Sequence, residues 1–226
     1  MIKEIFTSLF FIALTLFFYV FSNKMNKKFK SAALNPILLA AILIILLLII
    51  FKVSYSTYNK GGEVIVSVLG PIVVVLAIPL YKNRNEIMKN FLPIIGGATA
   101  SIITSVVTVI LLCKLFKIDE TIMLSLLSKS ITTPMAVEST KLLGGNEAVT
   151  VAAVVITGLI GSAIAPVVMK VGKIKNNIAK GIGIGSASHA IGTSKAIEMN
   201  EEVAAASGLA IGVTGLLTII GIIIFA

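Results

Sequence analysis

Residues 34–51 read LNPILLAAILIILLLIIF, eighteen positions without one charge. A helix needs about 20 mostly apolar residues to cross the hydrocarbon core of a bilayer, and a run this uniform leaves no polar face to present to water. The pattern repeats at 5–21, 64–80, 91–113, 148–169 and 203–226. Over the whole chain 57% of residues are hydrophobic and 13% charged, with a mean hydropathy of +1.06. Ordinary soluble domains are roughly 45–50% apolar and about 25% charged. A soluble fold of 226 residues has too little interior to hide so much apolar surface. The sequence specifies an all-α, polytopic membrane protein.

The net charge of +9 sits mainly between the apolar runs. Lys24, Lys27, Lys28 and Lys30 form one cluster. Lys82, Arg84 and Lys89 form a second, and Lys170, Lys173, Lys175 and Lys180 a third. Cationic residues in short loops mark the cytoplasmic side of a membrane protein. A nucleic-acid binder needs a continuous basic face with base-reading side chains, and none is visible. The first run follows only Lys3 beside Glu4 and leads into Asn-Lys-Met-Asn-Lys-Lys, so it reads as a retained span and not a cleaved signal. Cys113 is the single cysteine, which excludes an internal disulfide and a cysteine metal cluster. It reads as a small residue facing lipid or a neighbouring helix. No metal or cofactor is expected.

Two further stretches, 121–141 and 181–197, are long enough to matter but polar. The first contains LSKSITTPMAVEST at 127–140. Pro134 lacks a backbone donor and clashes with the carbonyl four residues back, so a continuous helix is kinked or broken there. The second begins GIGIGSASHAIGTSK at 181–195. Its glycines, Gly185 and Gly192 among them, weaken the helix and its hydroxyls compete for backbone hydrogen bonds. Irregular backbone at membrane depth is tolerated only inside protein or beside a wet cavity, which makes both stretches candidates for a binding site. About seven to eight membrane segments result, two of them interrupted or re-entrant.

A weak internal repeat accompanies them. Gly61-Gly62, Pro79 and Gly96-Gly97 are echoed by Gly144-Gly145, Pro166 and Gly183, with Pro79 to Gly96 and Pro166 to Gly183 both 17 residues apart. Such repeats are common in transporters, whose sites are built from broken helices. The organisation is one transmembrane domain over 1–226. N-terminal spans occupy 1–53, a first repeat 54–118, a second repeat with the polar motifs 119–200, and a last span 201–226. If 121–141 crosses the membrane, the copies are inverted and the second and third basic loops lie on opposite sides. If it re-enters, the basic clusters share the cytoplasmic side and the copies are parallel. Both arrangements stay open.

Lys129-Ser130-Ile131-Thr132-Thr133-Pro134, Gly144-Gly145 and Ala187-Ser188-His189-Ala190-Ile191-Gly192-Thr193 resemble the LrgB/CidB family of bacterial cell-membrane proteins. Where the family often has Arg-Gly and a Thr before the Ala-Ser-His, this chain has Lys180-Gly181 and Ser186, which keep the cation and the hydroxyl. The resemblance implies two functions. One is an antiholin-like modulator of murein hydrolase activity and autolysis, acting with a small LrgA/CidA-type membrane protein. The other is movement of small monocarboxylates such as glycolate, glycerate, pyruvate or lactate, as in a related plastid translocator. A multi-pass cell-membrane location and a homo-oligomer are expected with either.

Within that frame His189, the only histidine, is either a packed ring bonded to a neighbouring carbonyl or a substrate or proton contact. Polarity at membrane depth is costly and favours the functional reading, and its ordinary pKa of about 6.5 suits proton exchange. Ser186, Ser188 and Thr193 surround it. Ser130, Thr132 and Thr133 either satisfy carbonyls freed by Pro134 or hold a small acid at a half-helix N-terminus. Lys129 and Lys195 either complement that acid or snorkel to the interface. Glu138 is a proton-coupling candidate or an ordinary surface partner of Lys141. Gly144-Gly145 reads as a turn or cap, and Gly208, Gly212 and Gly215 as a packing face. The glycine run at 181–185 does not follow a strand and is no dinucleotide fingerprint. With no second histidine and no nucleophile elbow, no enzyme is expected. The leading expectation is a secondary transporter of small monocarboxylates, with or without proton coupling.

Overall fold

The computed structural model describes residues 2–29, 36–68, 78, 81 and 84–225, and every described element is helical. Met1–Leu69 forms one compact unit and Gly70–Ala226 another.

The first unit holds α1 (Ile2–Phe29), α2 (Pro36–Ile50) and α3 (Tyr55–Ser67). Pro36 opens α2, where its missing N–H costs nothing. Ser54 caps α3 by accepting from Thr57 N. The face of α3 that carries Tyr58 and Gly61 lies on α1. Tyr58 meets Phe11 edge-to-face at 5.6 Å and Thr15 through its hydroxyl at 3.1 Å. Gly61 lets the backbones close, since a Cβ there would stand 2.9 Å from Phe11 Cβ.

The second unit holds α4 (Arg84–Lys89), α5 (Phe91–Leu115), α6 (Glu120–Leu126), α7 (Thr133–Leu143), α8 (Glu147–Val171), α9 (Asn177–Met199) and α10 (Glu201–Phe225). Three apolar helices across the two units end alike. The chain leaves α2, α5 and α8 through a lysine with positive φ, namely Lys52, Lys117 and Lys173. Val53, Ile118 and Ile174 then donate back to Leu48, Cys113 and Met169. This closes the terminal carbonyls and sets a cation at the negative end of each helix dipole.

Four helices among the described residues are long and apolar enough to cross a membrane: Glu4–Lys28, Phe91–Leu115, Glu147–Val171 and Glu201–Ile224. That is fewer than the seven to eight segments expected. The helix in the 34–51 run has 15 residues, roughly 22 Å at about 1.5 Å per residue, short of the ~30 Å core. Most of the 64–80 run, including Pro79, lies outside the described residues, as do Lys30 and Lys82. The first copy of the repeat is therefore only partly within them.

The two polar stretches both fold back on themselves. In the first, the backbone N–H of Asn146 donates to Ser125 Oγ at 2.7 Å, while nearer the tip Ser128 Oγ donates to Ala136 O at 3.3 Å and meets Thr140 Oγ1 at 3.2 Å. Helices α6 and α7 are thus the arms of a hairpin whose tip is 127–132. Pro134 stands in the first turn of α7, so it starts an arm instead of kinking one. In the second, Asn177 Nδ2 donates to Glu202 Oε2 at 2.8 Å, and Ile184 and Ala196 share one core cluster. A straight helix would hold those two about 18 Å apart at ~1.5 Å per residue. The reversal is at His189, with φ 43° and ψ −142°. The backbone stays helical through Gly185 and Gly192, so the break falls on the histidine and not on the glycines.

These contacts are those of the folded-back arrangement of the two left open by sequence. The ends of 121–141 lie together, at the start of α8. The base of the second hairpin follows the end of α8, so the hairpins approach from opposite ends of that helix. Asn90 at the head of α5 and Asn176 at the head of α9 line one groove. The basic residues of α4 and those of the 170–180 loop therefore share one end of the unit, as the charge rule requires.

Candidate functional site

The hairpin tips converge on one turn of α8. The Val154 side chain packs with Ile131, Met135 and Ala136 of the first hairpin. Its carbonyl accepts from His189 Nε2 of the second at 2.9 Å, so Nε2 carries the ring proton. Two glycines of α8 make the approach feasible. A Cβ on Gly158 would stand 2.7 Å from His189 Cε1, and one on Gly161 would overlap Ser188 Oγ. His189 and Ser188 are buried. Thr193 Oγ1 donates to His189 O at 3.0 Å, satisfying a carbonyl freed by the reversal, and meets Ser207 Oγ at 2.7 Å. Gly181 and Gly185 admit the backbone of α10, because Cβ atoms there would run into Val203 O and Ser207 O. The glycines of this stretch serve close packing.

A second meeting place lies between the hairpins, α5 and α10. Lys129 Nζ donates to Ser105 Oγ at 3.1 Å, and Ser105 Oγ lies 3.1 Å from Ser130 Oγ. Across from them Ser101 Oγ donates to Ser186 O at 3.1 Å, and Thr214 Oγ1 donates to Ser186 Oγ at 3.0 Å. Ser101, Ser105, Ser130, Ser186, Thr214 and Thr218 line a cavity of about 10 Å³, room for roughly one water. Lys129 is half-buried, and no carboxylate pairs with it among the described residues. With the ammonium donating into Ser105, that hydroxyl is free to donate onward to Ser130, and such a chain strengthens each bond in it.

The cavity joins Ser130 and Ser186, which the sequence singled out, to Ser101, Ser105, Thr214 and Thr218, which it did not, and Lys129 reaches it through Ser105. The missed residues carried a signal, since Ser101 and Ser105, and Thr214 and Thr218, stand four apart and share a helix face. His189, Ser188, Thr193, Thr132 and Thr133 are not among the lining residues. Thr132 caps α7 without a side-chain cap bond, and its buried hydroxyl and that of Ser139 have no partner.

The first hairpin also holds a network that is fully paired. Ser125 donates to Thr121 O, Thr140 and Thr150 share a 2.8 Å bond, and Thr150 donates to Ser125 O at 2.9 Å. Gly144 closes α7 at φ 74°, and Gly145 lies where a Cβ would stand 2.9 Å from Ser125 N. Glu138 accepts from Lys141 Nζ at 3.0 Å on the surface, and this carboxylate beside it raises the Lys141 ammonium above its usual range. Lys195 pairs with Glu198 at 2.6 Å, also at the surface.

Comparison with known proteins matches residues 15–226 to the LrgB-like family. The chain is 42% identical over 190 residues to a Bacillus subtilis (strain 168) protein named uncharacterized protein YxaC, covering 84% of this chain and 83% of the relative. It is 37% identical over 211 residues to the holin-like protein CidB of Staphylococcus aureus (strain N315), covering 93% and 92%. With the antiholin-like protein LrgB of Bacillus subtilis (strain 168) it shares 38% over 191 residues, 84% and 83% of the two chains. No solved structure matches.

Proposed function

The chain belongs to the LrgB-like family and is a multi-pass bacterial membrane protein, and from that premise we propose that it is a holin- or antiholin-like regulator of murein hydrolase activity and autolysis. It acts with a small LrgA/CidA-type membrane protein. The observation that supports this is the similarity to proteins bearing those names, which runs through both compact units of the chain.

A second reading, a carrier of small monocarboxylates, is favoured by one feature of the structure. Lys129 donates to Ser105 in the wall of a hydroxyl-lined cavity between two hairpins that meet α8 from opposite ends. A cation at membrane depth costs about 2.5–3.5 kcal/mol on insertion scales, and a regulator without a substrate has no use for it. Broken segments meeting near the midplane are how many carriers build their sites.

One strain set tests both. A bacterium lacking its own LrgB-type protein is complemented with the native chain or Lys129→Met. Hydrolase release and detergent-induced autolysis are measured, and uptake of labelled glycolate and pyruvate is followed in proteoliposomes with and without the small partner. The regulator reading predicts restored autolysis control by both chains and no uptake. The carrier reading predicts uptake by the native chain that Lys129→Met abolishes. Failure of the native chain to alter autolysis would overturn the first reading.

A further inference from the structure

The hydroxyl-lined cavity does not stand alone. A groove of about 560 Å³ runs between the first half of α5 and the first arm of the α9 hairpin, within the roughly 300–1,000 Å³ usual for small-ligand sites. Asn90 and Asn176 stand at its mouth, and Ser101 and Ser186 line both the groove and the cavity. The bond from Ser101 Oγ to Ser186 O is therefore part of the wall between them. Ser186 lies nine residues beyond Asn177, roughly 14 Å at about 1.5 Å per residue, close to half the thickness of the ~30 Å core. The groove thus reaches from one surface to mid-membrane.

Lysines cluster in the chain around the mouth. Lys173, Lys175 and Lys180 stand within four residues of Asn176, while at the same end Glu202 is held by Asn177. Beyond the serine pair Lys129 donates into the cavity wall. A route with cations at its surface and a cation behind its inner hydroxyls suits a small monoanion. We propose that the α5–α9 groove is the aqueous vestibule for a small carboxylate anion, and that the Ser101–Ser186 contact is its closed inner constriction. The anion rests on the carrier reading. The constriction opens when the first arm of the α9 hairpin moves away from α5, since every wall residue of the groove belongs to these two helices or their caps.

Cysteine accessibility tests this in the full chain, with Cys113→Ala as background. Gly183→Cys sits in the groove, where a Cβ would make only an ordinary 3.5 Å contact with Met169, so folding is preserved. Ser101→Cys sits at the constriction and Leu111→Cys on the apolar surface. Vesicles are treated with an anionic, a cationic or a lipid-soluble methanethiosulfonate. Expected is aqueous labelling of Gly183→Cys, at least several-fold faster with the anionic reagent, slow labelling of Ser101→Cys that millimolar glycolate slows further, and none of Leu111→Cys except by the lipid-soluble reagent. Labelling of Gly183→Cys by the lipid-soluble reagent alone overturns the vestibule. Uptake of glycolate by vesicles whose Gly183→Cys is inert to aqueous reagents leaves the carrier reading standing and sinks this one. Labelling with glycolate protection but no uptake does the reverse.

Discussion

Exchanging His189 for glycine and, separately, for alanine isolates the backbone reversal from the imidazole. Both substitutions delete the ring and its bond to Val154 O, so those losses cancel in the difference. What remains is one Cβ at φ 43° and ψ −142°. In a continuous helix alanine is better than glycine by about 1 kcal/mol. At a backbone position of this kind a side chain costs roughly 1–3 kcal/mol, and glycine escapes that cost. The order of the two variants therefore inverts. For a chain of this size 1 kcal/mol moves the melting temperature by roughly 2–4 °C, so His189→Gly melts about 2–12 °C above His189→Ala. The chain has no tryptophan but has one buried thiol, Cys113. A dye that fluoresces on reaction with thiols reports its exposure during a thermal ramp in detergent. An alanine variant as stable as the glycine variant, or more so, would refute the reversal at His189 and with it the hairpin.

Three further outcomes use the same melt. Ser125→Ala strips the acceptor from the Asn146 N–H and should cost about 0.5–1.5 kcal/mol, the net worth of an ordinary hydrogen bond. Gly161→Ala drives a methyl into Ser188, whereas Gly96 has nothing within 4 Å of an added Cβ. The first should lower the melting temperature by several degrees and the second leave it level or raise it, alanine being the better helix former. Lys141 has its pKa raised chiefly by Glu138, so its contribution is complete below the ordinary lysine pKa and is lost as pH climbs through the raised one. The small melting difference between native chain and Glu138→Gln should accordingly persist at neutral pH and close in strong alkali.

Composition and apolar length were enough for the membrane assignment, because both express the solvent that each residue meets. The breaks were legible for the same reason. Hydroxyls, a proline and a histidine inside otherwise apolar sequence mark backbone that is not a plain span, and both stretches are hairpins. Their exact turning points were less legible. Gly185 and Gly192 look like helix breakers, yet helix continues through them, because glycine in a crowded bundle also serves to bring helices close. The reversal fell on His189, a residue with no local preference for positive φ comparable to that of glycine, and only the tertiary contact with Val154 specifies it. The fold-back within 121–141 is likewise tertiary, since it depends on where Ser125 finds Asn146.

The cavity was half legible for a further reason. Ser101, Ser105, Thr214 and Thr218 lie in helices apolar enough to be read as ordinary spans, and single hydroxyls are cheap there because they can bond to their own helix, as Thr218 does to Thr214 O. Two polar clusters in the same bundle differ in how they are paired. In the Ser125–Thr140–Thr150 network the hydroxyls bond to one another or to backbone carbonyls, and nothing charged takes part. In the other, a cation feeds a serine chain that ends at a cavity shared by four elements. A saturated network fixes a hairpin against its neighbour and gains nothing from a ligand. A chain of donors driven by an ammonium and left open at one end gains from any acceptor that reaches it, most of all from a negatively charged one. That asymmetry supports the proposed site beside Lys129, while the His189 ring, bonded to the Val154 carbonyl, holds the second hairpin on α8.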